Sequence, residues 1–230
     1  LSRHKSALKH YISLGHARWA ARTYNNIGYL LRRKNERNKA LEAYGEVEAI
    51  LEGSNDDELI YSQITLARSL IELGEVDRAR EHAMASHERT SALGDAVLHA
   101  RAQSVLGRYY SKVEQSELAL FHYTEALEAM TEAGDVQSLV EITMLLGEVL
   151  HDAGRTDEAV EHYSQALVLA EANDLRMQIG ELLTRLGGVA PDRQGRMEYL
   201  QRALTVFREL GAKTRMREVQ TMVHRAVMSR

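Results

Sequence analysis

The sequence predicts an all-α fold in which antiparallel helix pairs stack side by side as an α-solenoid. The first observation is composition, because the 230 residues include a single Pro and only 6% aromatic residues, which favours helices. The second is a repeat of about 40 residues, which is typical of repeat architectures. The third is a pair of turn signals in each repeat, so that each repeat holds two helices.

Composition also narrows the class of protein. The chain is 44% hydrophobic and 27% charged, as in a folded globular protein. It contains no run of 18 apolar residues, and its first ten residues do not form a signal peptide, so we expect no membrane insertion and a cytoplasmic location. The sequence has no Cys, which excludes disulfides, thiolate metal sites and cysteine nucleophiles.

Small residues mark the period of the repeat. One set is spaced by 39 or 40 residues and consists of Gly28, Ala67, Gly107, Gly147 and Gly187. A second set follows 12 residues later, at Ala40, Ala79, Ala119 and Ala159. Four residues further on stand Tyr44, Ala83, Tyr123 and Tyr163. We expect each Gly to lie where the first helix of a repeat crosses its partner closely, and each aromatic ring to fill the wedge beside the next repeat.

Turn signals separate helices of about 17 residues each. Apolar residues recur at i, i+3, i+4 and i+7 within the half-repeats, which is a helical stripe. Gly74, Gly94, Gly134 and Gly154 each follow Leu or Ala, and three of the four precede Asp or Glu. Such a Gly supplies the left-handed conformation that ends a helix, and a following Asp can cap the next one.

These motifs resemble the tetratricopeptide repeat (TPR). The resemblance is carried by the pairs Ile27-Gly28, Leu66-Ala67, Leu106-Gly107, Leu146-Gly147 and Leu186-Gly187, and by the segments ALEAY (40–44), LALFHYTEAL (118–127) and AVEHYSQAL (159–167). It implies a right-handed superhelix of about 11–12 helices. The period is 40 rather than about 34 residues, and the usual Pro at the end of the second helix is absent. Such long-period arrays are similar to those of kinesin light chains, bacterial multidomain regulators and peptide-sensing regulators of the Rap type, and the motifs do not choose among these.

The phase of the repeat predicts a single TPR domain over residues 1–230. Residues 1–15 match the second half of a repeat, and Pro191 shortens the fifth repeat. The repeats are expected at 17–54, 56–93, 95–133, 135–173 and 174–210, with a capping helix at 212–230. Because the first helix lacks a partner and no initiator Met is present, we expect an excised part of a longer regulatory protein whose effector domain lies elsewhere.

Charge is strongly segregated along the chain, although the net charge is only −4. Residues 1–40 carry +9, residues 41–192 carry −19 and residues 193–230 carry +6. One hypothesis is that the basic ends contact the acidic middle of another copy or of a neighbouring domain, giving a homo-oligomer or an intramolecular regulatory array. The acidic middle would repel phosphate, which argues against nucleic acid as the partner.

The sequence favours binding over catalysis. It contains no phosphate-binding loop, no HExxH and no GxSxG motif, so we predict no enzymatic activity, cofactor or metal. His82, His122 and His162 stand 40 residues apart, but equivalent positions of neighbouring repeats lie about 10 Å apart and metal ligands must lie about 2 Å from one ion. We interpret the three as half-exposed positions beside the buried tyrosines.

The resemblance implies a non-catalytic scaffold or sensor module that binds a protein or peptide partner on the concave face of the first helices. Carrying the repeat phase along the chain gives the predicted binding residues: Arg22, Asn25, Asn26, Tyr29, Arg33, Tyr61, Arg68, Arg101, Ser104, Arg108, Lys112 and Glu148. The N-terminal half of this face is basic and rich in amides, so we expect an acidic segment to bind nearer Arg22–Lys112. The carboxylate clamp of chaperone-binding TPRs is not reproduced, since Tyr29 stands where an Asn would be needed.

Overall fold

The computed structural model describes residues 2–52 and 59–228, and in these ranges the chain is helical throughout, with no strand. The helices, in chain order, are α1 (Ser2–Ser13), α2 (Ala17–Arg33), α3 (Arg37–Leu51), α4 (Ile60–Leu73), α5 (Val76–Leu93), α6 (Ala96–Lys112), α7 (Ser116–Ala133), α8 (Val136–Asp152), α9 (Thr156–Ala172), α10 (Arg176–Val189), α11 (Arg193–Glu209) and α12 (Lys213–Met228). The predicted all-α fold is confirmed, and the expected boundary between the first two repeats, at residues 54–56, lies outside the described residues.

The helices group into two compact units, Leu1–His122 (unit 1) and Tyr123–Arg230 (unit 2). In unit 1, α2 packs on α3 and α4 on α5, while α2, α4 and α6 contact one another in succession. In unit 2, α8 packs on α9 and α10 on α11, and α8 also contacts α10. Short turns make consecutive helices antiparallel neighbours, so each unit is a stack of helix pairs. The expectation of one domain over the whole chain stays a prediction.

Glycine and aromatic side chains interlock inside the helix pairs. A Cβ atom added to Gly28 would lie 2.6 Å from Cζ of Tyr44, and one added to Gly147 would lie 2.6 Å from Cε1 of Tyr163. Both tyrosines are buried. The predicted close crossings are thereby confirmed at these glycines, and each ring fills the notch left by the Gly of its own repeat. The second repeat uses a different pair, Ala67 and Ala83, which are both fully buried.

Left-handed residues end the helices as the turn signals predict. Gly74, Gly94, Gly134 and Gly154 have φ values between 67° and 78°, which L side chains adopt only at a cost. The same conformation at Glu114, with φ of 60°, joins α6 to α7 without a Gly. Side-chain caps follow some of these turns, and they are made by Asp95, Asp135 and Asp192, each of which accepts a hydrogen bond from a backbone N–H three residues later.

Candidate partner-binding face

The exposed side of α2 and α4 in unit 1 displays large aromatic rings. Trp19 is 44% exposed, Tyr29 is 43% exposed and Tyr61 is 46% exposed. Single exposed apolar residues are common on protein surfaces, but a group of aromatic rings beside arginines is typical of interfaces.

Arg22 is held between two of these rings. Its guanidinium carbon lies 5.2 Å from the centroid of the Trp19 ring and 5.6 Å from that of Tyr61. Trp19 in turn stacks on Tyr11 with centroids 6.0 Å apart and planes 25° apart. Tyr11, Trp19, Arg22 and Tyr61 therefore form a row, the Arg22 row, that crosses α1, α2 and α4. Cation–π contacts of this kind hold a guanidinium in a defined plane.

A groove of about 300 Å³ borders the Arg22 row. It is lined by Arg3, His4, Ala7, Tyr11, Trp19, Arg22, Thr23 and Asn26. None of these lining residues is acidic, and two of them are arginines. The chemistry of the groove therefore favours a ligand that carries negative charge and a flat or apolar portion.

A second aromatic contact lies further along α2. The guanidinium carbons of Arg32 and Arg33 lie 5.4 Å and 6.0 Å from the centroid of the Tyr29 ring. Nη1 of Arg33 also donates a hydrogen bond of 3.4 Å to the Tyr29 hydroxyl. Arg32 forms a 2.6 Å ion pair with Glu72 of α4, so part of its charge is already neutralised within unit 1.

Asn25 lies inside the packing between α2 and α4 rather than on the exposed face. Its side chain is 3% exposed, and its Nδ2 donates a hydrogen bond of 3.0 Å to the backbone oxygen of Ser62. A buried amide that satisfies a backbone carbonyl serves packing. Its neighbour Asn26 is exposed and lines the groove beside the Arg22 row.

The remaining predicted residues are distributed over three helices. Arg68 is exposed on α4 and Lys112 is exposed on α6, whereas Arg101, Ser104 and Arg108 are half-buried on α6. The structure thus brings Arg22 together with Tyr61, and Tyr29 with Arg33. A role for these residues in binding stays a prediction.

Unit 2 arranges charge differently on the corresponding helices. Glu148 of α8 forms an ion pair with Arg185 of α10, and Glu181 of α10 forms one of 2.8 Å with Arg215 of α12. In both cases an acid on one helix meets an arginine on the next helix of the same kind. The acidic character that the sequence predicts for this part of the face is therefore partly neutralised by arginines within unit 2.

Ion pairs also fix the second helices of unit 1. Arg78 of α5 donates two hydrogen bonds, of 3.1 Å and 2.7 Å, to the carboxylate of Glu48 on α3. Nε2 of His82 lies 3.2 Å from the same carboxylate. Burial alone would raise the pKa of Glu48, but the hydrogen bonds from Arg78 and His82 outweigh burial and lower that pKa.

Metal binding and membrane insertion find no support among the described residues. No group of three His, Asp or Glu side chains within residues 2–52 and 59–228 is placed to hold a metal ion. The helices described in these ranges include none that is long and apolar enough to cross a membrane. His82, His122 and His162 are half-buried, as the sequence predicts for positions beside the tyrosines.

Sequence reasoning missed two features of this face. Trp19 is in phase with the helix packing and was therefore expected to serve it, yet nearly half of its side chain is exposed. The i, i+3 spacing of Trp19 and Arg22 is the signal that could have linked them, because residues at this spacing are neighbours on a helix. The pairing of Arg32 with Glu72 depends on the distance between α2 and α4, and the repeat phase does not supply it.

Comparison with known families identifies the repeats. Sequence models described as tetratricopeptide repeat match residues 21–50, 58–132 and 140–165. Together these segments span more than half of the chain. Comparison with curated proteins gives no match.

Solved structures share the fold at low sequence identity. BtubC (BKLC) from P. vanneervenii matches with a TM-score of 0.72 and 17% identity, over 91% of this chain and 90% of that one. A signal-transduction ATPase with numerous domains (STAND) and a tetratricopeptide repeat sensor, from Pyrococcus horikoshii, matches with a TM-score of 0.69 and 17% identity, over 87% of this chain and 31% of that one. A Rap protein complexed with competence and sporulation factor matches with a TM-score of 0.63 and 17% identity, over 98% of this chain and 68% of that one.

The sequence matches, the helix pairs and the glycine notches agree with one another. The long period that the sequence predicts is carried by helices of 14 to 18 residues in these pairs. The chain belongs to the tetratricopeptide-repeat family.

Proposed function

We propose that this protein is a non-catalytic interaction module that binds an acidic segment of a protein or peptide partner on the exposed side of α2, α4 and α6. The observation that carries the proposal is the Arg22 row. It places a guanidinium between two half-exposed aromatic rings, and the groove beside it has no acidic lining residue.

The geometry of Arg22 suits recognition of a carboxylate. Rings that contact the guanidinium limit its rotation, so that less side-chain entropy is lost when a ligand binds. Its N–H donors can then form a bidentate, charge-assisted pair with a carboxylate. Trp, Tyr and Arg are also the residues that contribute most to the binding energy of interfaces, and the row consists of these three types.

The length of the face favours an extended segment. Packed helices lie 8–10 Å apart, while an extended chain advances about 3.3 Å per residue. Side chains of about every third residue would therefore meet successive helices. Arg22 on α2, Arg68 on α4 and Lys112 on α6 supply a basic residue on each of the three helices, so a segment with an acidic residue at every third position matches this spacing.

A structural relative supports a bound factor as the ligand class. The Rap protein that shares this fold was solved as a complex with competence and sporulation factor. The similarity concerns the fold, and the carboxylate chemistry proposed for this chain comes from its own residues.

The test uses a fluorescein-labelled decapeptide with Glu at every third position and Ala elsewhere, measured by fluorescence anisotropy. Arg22→Glu is expected to weaken binding at least tenfold, because it replaces the proposed partner of a carboxylate with a like charge. The matched control is Arg80→Glu, which makes the same charge change at an exposed position of α5 in the same unit and should change the affinity less than twofold.

Two outcomes would contradict the proposal. Equal weakening by Arg22→Glu and Arg80→Glu would mean that the peptide responds only to net charge. Equal affinity for the same decapeptide with Gln in place of Glu would mean that no carboxylate is recognised. A change of molecular mass with protein concentration, measured by light scattering, would instead favour self-association through the basic ends.

A further inference from the structure

Three histidines of unit 1 meet where α5, α6 and the start of α7 pack together. The ring of His87 on α5 stacks on that of His99 on α6, with centroids 4.8 Å apart and planes 25° apart. The ring of His122 on α7 meets His87 nearly edge-on, with centroids 6.0 Å apart. We call His87, His99 and His122 the imidazole cluster.

Two members of the cluster occupy positions that hold aliphatic residues in other repeats. Residues 40 positions from His87 and 80 positions from it are Leu127 and Leu167, and the residues 40 positions on either side of His99 are Leu59 and Leu139. Imidazole is therefore not needed to build this part of a repeat. A half-buried polar ring in an aliphatic position costs stability unless it is well hydrogen-bonded.

The hydrogen bonds fix the proton positions on His99. The Thr90 hydroxyl donates its one proton to the backbone oxygen of Ser86, at 2.8 Å. Nδ1 of His99 lies 3.0 Å from the same hydroxyl oxygen, so Nδ1 must donate to it. In a neutral ring Nε2 of His99 is then an acceptor.

Gln103 connects His99 to His122. Its Nε2 lies 3.4 Å from Nε2 of His99, and its Oε1 lies 2.5 Å from Nδ1 of His122. The amide thus donates to His99 and accepts from Nδ1–H of His122, so both bonds are satisfied when both rings are neutral. Rotating the amide by 180° would accommodate one added proton on His99. Two protonated rings would both donate towards Gln103, which has only one oxygen to accept.

Aromatic rings and neutral amides line the imidazole cluster. Tyr110 of α6 stacks on His122 with centroids 5.1 Å apart, and Phe121 meets the same ring from α7. Arg89 of α5 donates to Gln63 of α4 at 3.3 Å. Among the ring contacts of the cluster in the described part of the chain, the titratable groups are the imidazoles themselves and the Tyr110 phenol. These contacts bring no carboxylate that would stabilise added positive charge.

The direction of the pKa shifts agrees with this geometry. Burial, and then the neighbouring imidazole, lower the pKa of both His87 and His122. A His whose pKa is lower in the folded state binds fewer protons than in the unfolded state. The stability that it contributes is therefore complete above its unfolded pKa of about 6.5 and falls as the pH drops below that value.

We infer that the imidazole cluster is a pH-sensitive contact, which holds α5, α6 and the first two turns of α7 together while its rings are neutral and releases them when two rings are protonated. His82, on the same helix, behaves as the contrast, because its ring faces the Glu48 carboxylate, which stabilises a protonated ring. Mild acid therefore acts on the cluster and leaves the contact between α3 and α5 in place.

Hydrogen exchange followed by mass spectrometry tests this inference on the whole protein, after correction for the pH dependence of intrinsic exchange. Between pH 7.5 and pH 5.5, protection of α5 and α6 peptides should fall about tenfold more than that of α11 peptides, because protonation of the cluster favours their opening. His87→Leu, which copies Leu127 and Leu167, should keep protection at pH 7.5 and reduce that pH-dependent loss to threefold or less. The control His151→Leu changes an exposed position of α8 and should keep the wild-type response.

The same pH-dependent loss in the His87→Leu protein and in the wild type would overturn the inference. If His87→Leu does not fold, NMR titration of the imidazole Cε1–H signals in the wild-type protein decides instead. Midpoints of His87 and His122 below about 6.5, the ordinary value for His, support the inference, and midpoints at or above it overturn it.

Discussion

Unit 1 and unit 2 use the same helix pairs but arrange charge on them in different ways. In unit 2, acids of α8 and α10 pair with arginines of the next first helix, at Glu148–Arg185 and Glu181–Arg215. In unit 1, Arg32 is paired in this way with Glu72, whereas Arg22 contacts aromatic rings. The comparison indicates that the repeat determines the backbone arrangement, while the surface residues determine whether the face is neutralised internally or offered to a partner.

The largest expected effect tests whether the two units share the same internal packing. Gly28→Ala in unit 1 and Gly147→Ala in unit 2 should each lower the free energy of unfolding by about 2–3 kcal/mol, because the new methyl group overlaps a buried tyrosine ring. The measurement is urea denaturation followed by circular dichroism.

A double mutant separates this overlap from helix propensity. In a Tyr163→Ala background the ring is gone, so Gly147→Ala should raise the free energy of unfolding by up to about 1 kcal/mol through helix propensity. The second repeat already combines Ala67 with Ala83. A cost of Gly147→Ala that is equal in both backgrounds would contradict the notch.

The fold was predictable because its main determinants are local and recur along the chain. The spacing of Gly28, Gly147 and Gly187 indicated the phase of the packed face, and Gly74 and Gly94 indicated the helix ends. Both kinds of signal reflect steric limits on single positions. Repetition then multiplied a weak signal until the register of the helices was determined.

The site was less predictable because its contacts join residues that the repeat does not relate. The contact of Arg22 with Tyr61 and the burial of Asn25 against Ser62 depend on the distance between two helices. The imidazole cluster was missed since His87 and His99 are far from the phase shared by His82 and His122. Charge sums likewise indicated the sign of a region without its internal pairing.

A second prediction compares equivalent turns of the two units. Glu114 in unit 1 and Gly154 in unit 2 both join a first helix to a second helix, and both have positive φ. Glu114→Gly should raise the free energy of unfolding by about 1 kcal/mol, because Gly adopts this conformation without steric cost. Gly154→Ala should lower it by a similar amount, since no atom lies within 4 Å of the added Cβ and only the backbone conformation opposes the change. Thermal unfolding measures both, and stabilisation by Gly154→Ala would contradict this account.

A third prediction compares ion pairs between second helices. Glu48 in unit 1 is hydrogen-bonded by Arg78 and His82, and its side chain is 29% exposed, whereas Glu171 in unit 2 pairs with Arg202 and is 46% exposed. Glu48→Gln should therefore lower the free energy of unfolding by about 1 kcal/mol at pH 7, and Glu171→Gln by less than about 0.5 kcal/mol.

The pH dependence provides the check on Glu48. Because its pKa is lowered in the folded state, its contribution is complete above the ordinary value of 4.5 and is lost as the pH falls through the lowered one. The difference between wild type and Glu48→Gln should shrink when urea denaturation is repeated at about pH 3.5, below that ordinary value. A difference that stays constant with pH would show that the ionised carboxylate is not responsible.

The smallest expected effect bears most directly on the comparison of the two faces. Glu72→Gln removes the negative charge that neutralises Arg32 of unit 1, and Glu148→Gln does the same for Arg185 of unit 2. If the acidic decapeptide binds beside the Arg22 row, Glu72→Gln should tighten binding about threefold, because an unpaired arginine then lies near the ligand. Glu148→Gln makes the same change of net charge and should leave the affinity within about 1.5-fold of wild type, because screening at physiological salt limits such effects to about 8 Å. Equal gains from the two substitutions would mean that the peptide senses total charge, and the proposed difference between the faces would then have no role in binding.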